Sequence, residues 1–207
     1  MPPSDLLFQR LLKDLRPVLA EHGFRRKSQS FVIESPQCWG IINFQKSLYS
    51  SAGQKRFTVN VAIAVKRVLR FYNEPADAPP LHYKCHWDVR LGQLSPGHSD
   101  RWWTLSDEGS YESALAEVRD LITAKAVPII KDHLTEEGLL ELWGKILGGF
   151  EYPRLKEKSI LLAERNEFDR LPSIFLRIRE ICRGGAAEEG AEKHIAEIER
   201  HFHLKAQ

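Results

Sequence analysis

The sequence is short of the residues from which most functional motifs are built. It has 3 cysteines and 1 methionine in 207 residues. Cys38, Cys85 and Cys182 are odd in number, widely separated and without a CxxC pair, which argues against a disulfide framework and for a reducing compartment. No HExxH and no cysteine-rich set is present, and His194, His201 and His203 near the C-terminus, the last two spaced as HxH, have no suitable carboxylates close by, so no metal is expected. No glycine-rich loop of the P-loop or dinucleotide type occurs. Gly148-Gly149 and Gly184-Gly185 read as helix stops, so neither nucleotide hydrolysis nor any cofactor is indicated. Long hydrophobic runs are missing too. The segment Val59 to Val65 is interrupted by Asn60 and falls far short of the roughly 20 residues that cross a bilayer, so no membrane association is expected. Asp5, Arg10, Lys13, Asp14 and Arg16 break up the start of the chain, which therefore lacks the apolar stretch of a signal peptide; the expected location is cytoplasmic.

What is present is an ordinary globular composition, 43% hydrophobic and 28% charged, in a chain long enough for one well-packed domain plus an appendage. The net charge of +2 hides an asymmetry. Residues 1–72 hold 12 Lys/Arg against 4 Asp/Glu, a local +8, while the remainder holds 18 against 24, a local −6. The N-terminal third is thus suited to an acidic partner.

Hydrophobic spacing orders the elements. Ser4 is placed to cap a helix in which Leu7, Leu11, Leu12, Leu15, Val18 and Leu19 recur at three- and four-residue steps, and Gly23 stops it. Gln29 to Glu34, Trp39 to Leu48 and Arg56 to Lys66 alternate with a period near two and read as neighbouring antiparallel strands. In the third, Phe57, Val59, Val61, Ile63 and Val65 share the core face, and Thr58, Asn60, Ala62, Ala64 and Lys66 the other. A proline-rich loop, residues 73–81, leads to a fourth strand in which Trp87, Val89 and Leu91 share a face, ended by Gly92 and Pro96-Gly97. Tyr111 to His133 is a long helix with Pro128 near its end, and helices follow at 136–147, 154–167, 172–183 and 188–204. The expected fold is α+β: an antiparallel meander sheet of about four or five strands, packed by the N-terminal and the long helix, over residues 1–134. Residues 135–207 form a C-terminal α-helical extension of antiparallel helices.

Gly23-Phe24 followed by Arg25-Arg26-Lys27, the run Ile41-Ile42-Asn43-Phe44-Gln45-Lys46-Ser47, Phe57-Thr58-Val59-Asn60, and Arg90-Leu91-Gly92 before Trp102-Trp103 together resemble the bacterial family called domain of unknown function 4304, over roughly residues 4–133. The resemblance implies a compact α+β domain and carries no activity, cofactor or catalytic residue.

Candidate chemistry is sparse. Cys85, His86 and Asp88 supply a nucleophile, a base and a carboxylate, but on a strand Cys85 and His86 point to opposite faces, so no catalytic residue is assigned. Trp102-Trp103 offers either a stacking surface or core packing. Arg25, Arg26, Lys27, Lys55, Arg56, Lys66, Arg67 and Arg70 form either a phosphate-tracking stripe or a solvated edge. Asn43, Gln45, Thr58, Asn60 and Arg90 fall by parity on the non-core face as a polar floor. Together with Trp102 these supply the candidate binding residues Asn43, Gln45, Asn60, Arg90 and Trp102. The expected function is a non-enzymatic interaction protein with a protein partner, of the kind used in toxin immunity or defence. The alternatives are a nucleic-acid binder acting through the basic N-terminal third and an enzyme whose catalytic residues are dispersed along the chain.

Overall fold

The computed structural model of the chain describes residues 3–95, 97, 99–145 and 150–204. Strand β4 (Lys55–Val65) is the longest strand of a six-stranded antiparallel sheet, and the others are arranged around it. Strands β1 (Arg25–Lys27), β2 (Ser30–Glu34) and β3 (Cys38–Lys46) form a meander that pairs with one edge of β4. On the opposite edge β5 (Trp87–Arg90) pairs with residues 60–63 and β6 (Trp103–Leu105) with residues 55–57. The two-residue alternation of β4 places Phe57, Val59, Val61, Ile63 and Val65 on one face. Their neighbours in register, Phe44, Ile42, Val89 and Trp103, extend the same buried surface.

Helix α1 (Pro3–Glu21) covers that face with Phe8, Leu11, Leu12, Leu15 and Leu19, all fully buried. Gly23 ends the helix at φ +88°, a left-handed conformation that costs a residue without Cβ little. Helices α3 (Glu108–Leu121) and α4 (Val127–Asp132) complete the layer. Asp107 caps α3 by accepting the Ser110 N–H at 2.8 Å. Between them Ile122–Ala126 form a π turn. Pro128 has no N–H and its ring crowds the preceding turn, and the wider turn in front of it lets the helix continue with a bulge.

Helix α2 (Lys66–Phe71) grows directly out of β4 and carries the C-terminal helices. These are α5 (Glu136–Gly144), α6 (Glu151–Glu164), α7 (Leu171–Cys182) and α8 (Glu188–His201). Thr135 caps α5. α6 packs on α2 and α5, α7 on α6, and α8 against both α7 and α6. Arg67 of α2 binds the buried carboxylate of Glu136 at 2.9 Å and the Glu164 carbonyl at 3.1 Å, joining α2, α5 and α6. Past the end of α8, Phe202 stacks on Phe71 with ring centroids 6.3 Å apart. One hydrophobic cluster runs from Phe8 in α1 to Ile198 in α8.

The α+β class, the antiparallel meander and the helical C-terminus are as the sequence implies. The differences are local. β1 and β6 raise the strand number to six; both are three residues long, and β1 is entirely basic, so neither has an alternation to detect. Lys66 is not a strand residue but opens α2, where Glu34 pairs with it at 2.6 Å. Ser4 lies inside α1 and caps nothing; its hydroxyl donates to the carbonyls of Ala52 at 2.9 Å and Ser51 at 3.3 Å, pinning the β3–β4 turn. The fourth strand stops at Arg90, ahead of Gly92, and Leu91 starts a short 3-10 turn, Leu91–Leu94. The stops read at Pro96 and Gly148-Gly149 fall outside the described residues.

Gly40 sets how closely α4 approaches the sheet, because a Cβ there would stand 2.4 Å from Ile130 Cγ2 and 2.8 Å from Ile33 Cγ2. Gly40→Ala is expected to lower stability by about 1–3 kcal/mol through overpacking, read as a lower urea midpoint with an unchanged slope.

Candidate functional site

The outer face of the sheet is divided between an apolar half and a polar half. Toward the α2 end, Trp39, Ala62 and Ala64 are buried, with Ala76 and Cys85 of the segment after α2 packed on them. Trp39 Nε1 donates to the Ala76 carbonyl at 2.9 Å, which holds that segment down. At the other half the floor is amide. Asn60 Nδ2 donates to Gln45 Oε1 at 3.0 Å and to Asn43 Oδ1 at 3.3 Å, and Asn43 Nδ2 donates to Ser30 Oγ at 2.9 Å. Above Ser30, Asn43 and Gln45 lies an open cleft of about 440 Å³ whose far wall is the chain from Pro79 to Tyr83. Leu81 and Tyr83 on that wall are 57% and 68% exposed.

Asn43, Gln45 and Asn60 are thus brought together, Asn60 as a nearly buried support beneath the other two. Thr58 is fully buried and donates to the Arg101 carbonyl at 2.8 Å. Arg90, the last residue of β5, and Trp102, just ahead of β6, form a separate group. The Trp102 ring has the Arg56 guanidinium at 5.0 Å and that of Arg90 at 4.9 Å, and Arg90 Nη1 donates to both Asp100 oxygens, at 2.6 and 2.5 Å. Burial opposes the charge on Asp100, but the hydrogen bonds from Arg90 and Trp102 outweigh it and hold the carboxyl below its usual range. Trp103 turns inward and stacks on Phe57 at 5.7 Å. The adjacent tryptophans therefore divide between core packing and an outer cation–π stack.

The basic residues of the N-terminal third are largely engaged. Lys55 pairs with Asp5, Lys66 with Glu34, Arg67 with Glu136 and, at a longer 3.7 Å, Arg25 with Glu34. Arg26 donates to Gln9 and to the Ser28 carbonyl, while Lys27 lines the cleft.

Cys85 precedes β5 and ends the short 3-10 turn His82–Lys84, so the strand-parity argument does not apply to it. Its thiol sits against Ala62 and Ala64, and burial pushes its pKa up. His86 Nδ1 accepts the Val65 N–H at 2.9 Å, and burial lowers this imidazole to about 3. At neutral pH the two are a neutral thiol and a neutral imidazole, not a thiolate–imidazolium pair.

Glu157 belongs to no motif in the sequence. It lies on α6 one turn ahead of the buried Ile160 and Leu161, and an acid on that apolar stripe is the signal that could have drawn notice. Its Oε1 accepts from the Tyr72 hydroxyl at 3.3 Å, while Oε2 is buried without a hydrogen-bond partner among the described residues. Burial raises this carboxyl to about 7, against smaller opposing effects of Lys156 and Tyr72. The folded pKa lies above the unfolded one. Stability from this group is therefore full below about pH 4.5 and is lost as pH rises toward 7. Glu157→Gln is expected to be more stable than the parent at pH 8 by about 1–3 kcal/mol and to converge on it near pH 4.5, as measured by urea titrations across that range.

Among the described residues, no helix is long and apolar enough to cross a membrane. No curated protein and no solved structure matches the chain. A family described as a domain of unknown function, DUF4304, matches residues 15–132. Since that match runs from within α1 to the end of α4 and covers more than half of the chain, the protein belongs to the domain of unknown function 4304 family.

Proposed function

We propose that the protein is a non-enzymatic binding protein that receives an extended segment of a protein partner in the cleft on the outer face of its sheet. The observation that supports this most directly is the juxtaposition in one cleft of strand-borne side-chain amides, Asn43 and Gln45, with the exposed Leu81 and Tyr83 on the facing wall. Amides match the donors and acceptors of a peptide backbone, and exposed apolar groups beside them match its side chains. The amides stand on paired strands and are fixed by Asn60 and Ser30, so little side-chain freedom is lost on binding. The alternative of a nucleic acid held by the basic third is less favoured, because Lys55, Lys66 and Arg67 already face carboxylates and Arg56 faces an indole.

Affinity purification of the tagged protein from its host at native level, after nuclease treatment and with mass spectrometric identification, tests the proposal. The expected outcome is a stoichiometric protein partner whose affinity drops roughly tenfold or more in Gln45→Ala/Leu81→Ala, two changes at surface positions. Retention of the partner by that variant, or recovery only of nucleic acid with an affinity that falls steeply with salt, overturns it.

A further inference from the structure

Two smaller clefts meet at Cys85, His86 and Glu157, on the side of the 82–86 segment that faces α6. One, of about 360 Å³, also has Tyr72 and Tyr83 in its walls; the other, of about 100 Å³, has Trp143, Phe150 and Arg154. Trp143 Nε1 donates to the His86 carbonyl at 3.0 Å, which fixes α5 against this segment. Glu157, whose Oε2 is buried without a hydrogen-bond partner among the described residues, lines both clefts.

We propose that Glu157 anchors a binding site for a primary aliphatic ammonium group. A buried carboxylate oxygen without a donor costs free energy that an incoming donor removes, and an ammonium brings three donors together with the opposite charge. Aromatic rings on both sides, Tyr72 and Tyr83 in one cleft and Trp143 in the other, favour an organic cation over a hydrated metal ion. The larger cleft has room for a short alkyl chain behind the ammonium group. An anionic ligand would meet a carboxylate of its own sign.

The charged groups that line the two clefts with Glu157 are Asp88 and Arg154 in the smaller and Glu74 and Lys84 in the larger. Tyr72 of α2 donates to the other carboxylate oxygen. On the facing segment Lys84 is engaged by Glu74 at 2.6 Å, and His86 is neutral. On α6 itself, Lys156 acts on the carboxyl only weakly compared with burial, and Arg154 is placed in the wall of the smaller cleft. An ammonium must compete with the proton that burial favours on Glu157, so affinity is expected to rise about tenfold per pH unit up to pH 7 and then level off.

The test is an NMR titration of the backbone amides of Tyr72, Tyr83 and His86 in the full chain. n-Butylamine, 1-butanol and Nα-acetyl-lysine N-methylamide are the three probes. Butylamine is expected to shift these amides in a saturable way, 1-butanol to bind at least about tenfold more weakly, and Glu157→Gln to abolish both the preference and the pH dependence. Folding of that variant is not at risk, since the substitution removes a buried charge. If the capped lysine binds as well as butylamine, the ligand is a lysine side chain of another protein; if only the free amine binds, it is a small metabolite. Equal binding of butylamine and 1-butanol, or an unchanged butylamine affinity in Glu157→Gln, overturns the proposal.

Discussion

The structure depends on the pairing of β4 along both of its edges and its burial on both faces. From Phe57 to Val65 every residue of this strand is buried, and its hydrogen bonds are shared among β3, β5 and β6. The core face is covered by α1, α3 and α4. The outer face is covered only in part, because its residues change from Ala62 and Ala64 to Thr58 and Asn60 along the strand. Small apolar residues let the segment after α2 lie directly on the sheet, with Trp39 and Cys85 filling the space between. In the other half Thr58 donates to the Arg101 carbonyl, Asn60 donates to Asn43 and Gln45 of β3 and Asn43 to Ser30 of β2, and residues 79–83 stand off from that amide floor. The open cleft lies beside this strand, over Ser30, Asn43 and Gln45 of β2 and β3, with Asn60 of β4 as a buried support beneath it.

β4 also decides where the C-terminal helices go. It runs into α2 without a loop, so α2 has a fixed direction, and α6 packs on it. The Arg67–Glu136 pair is partly buried and supplemented by Arg165, which faces Glu136 at 3.5 Å and Glu137 at 2.6 Å. Such a network favours one arrangement over others, because a buried carboxylate left without its partner is strongly unfavourable. The same docking carries Glu157, a residue 85 positions from Tyr72 in the chain, to the Tyr72 hydroxyl and the segment around His86. Both clefts therefore share a single structural element, residues 79–86. That element forms the far wall of the amide-floored cleft on one side and meets α6 on the other.

Elements with a strong internal period were legible in the sequence. The leucines of α1, the alternation of β4 and the helices α6 to α8 are all where their spacing puts them. The polar floor was legible as well, since Asn43, Gln45 and Asn60 follow from parity once β3 and β4 are paired. Elements without a period were not. Arg25–Lys27 reads as a charge run and Trp103–Leu105 as the tail of an aromatic pair, because three residues pair only when a longer neighbour supplies the ladder. α2 is hidden because Val65 and Lys66 continue an alternating pattern, whereas in the fold Lys66 opens the helix and meets the Glu34 carboxylate and the face of Trp39 at 5.0 Å. Parity groups Arg90 with the floor and an aromatic pair suggests Trp102 as a stacking surface, but neither signal shows the Asp100 and Arg56 side chains that engage them.

By itself the sequence determined the class of fold, the helical character of the C-terminal third, which face of each central strand is apolar, and the membership in a family of unassigned function. Each of these follows from local periodicity or from a motif spread over a continuous stretch. Only the tertiary structure decided that the polar face is left partly open by residues 73–86 and that the C-terminal helices pack at the end of the sheet beyond α2. It likewise decided that one carboxylate on α6 becomes a buried acid. The physical reason is that burial and pairing are set by chain segments far apart in sequence. A glutamate on a helical stripe carries no mark of the tyrosine and histidine it will face until the fold has brought them together.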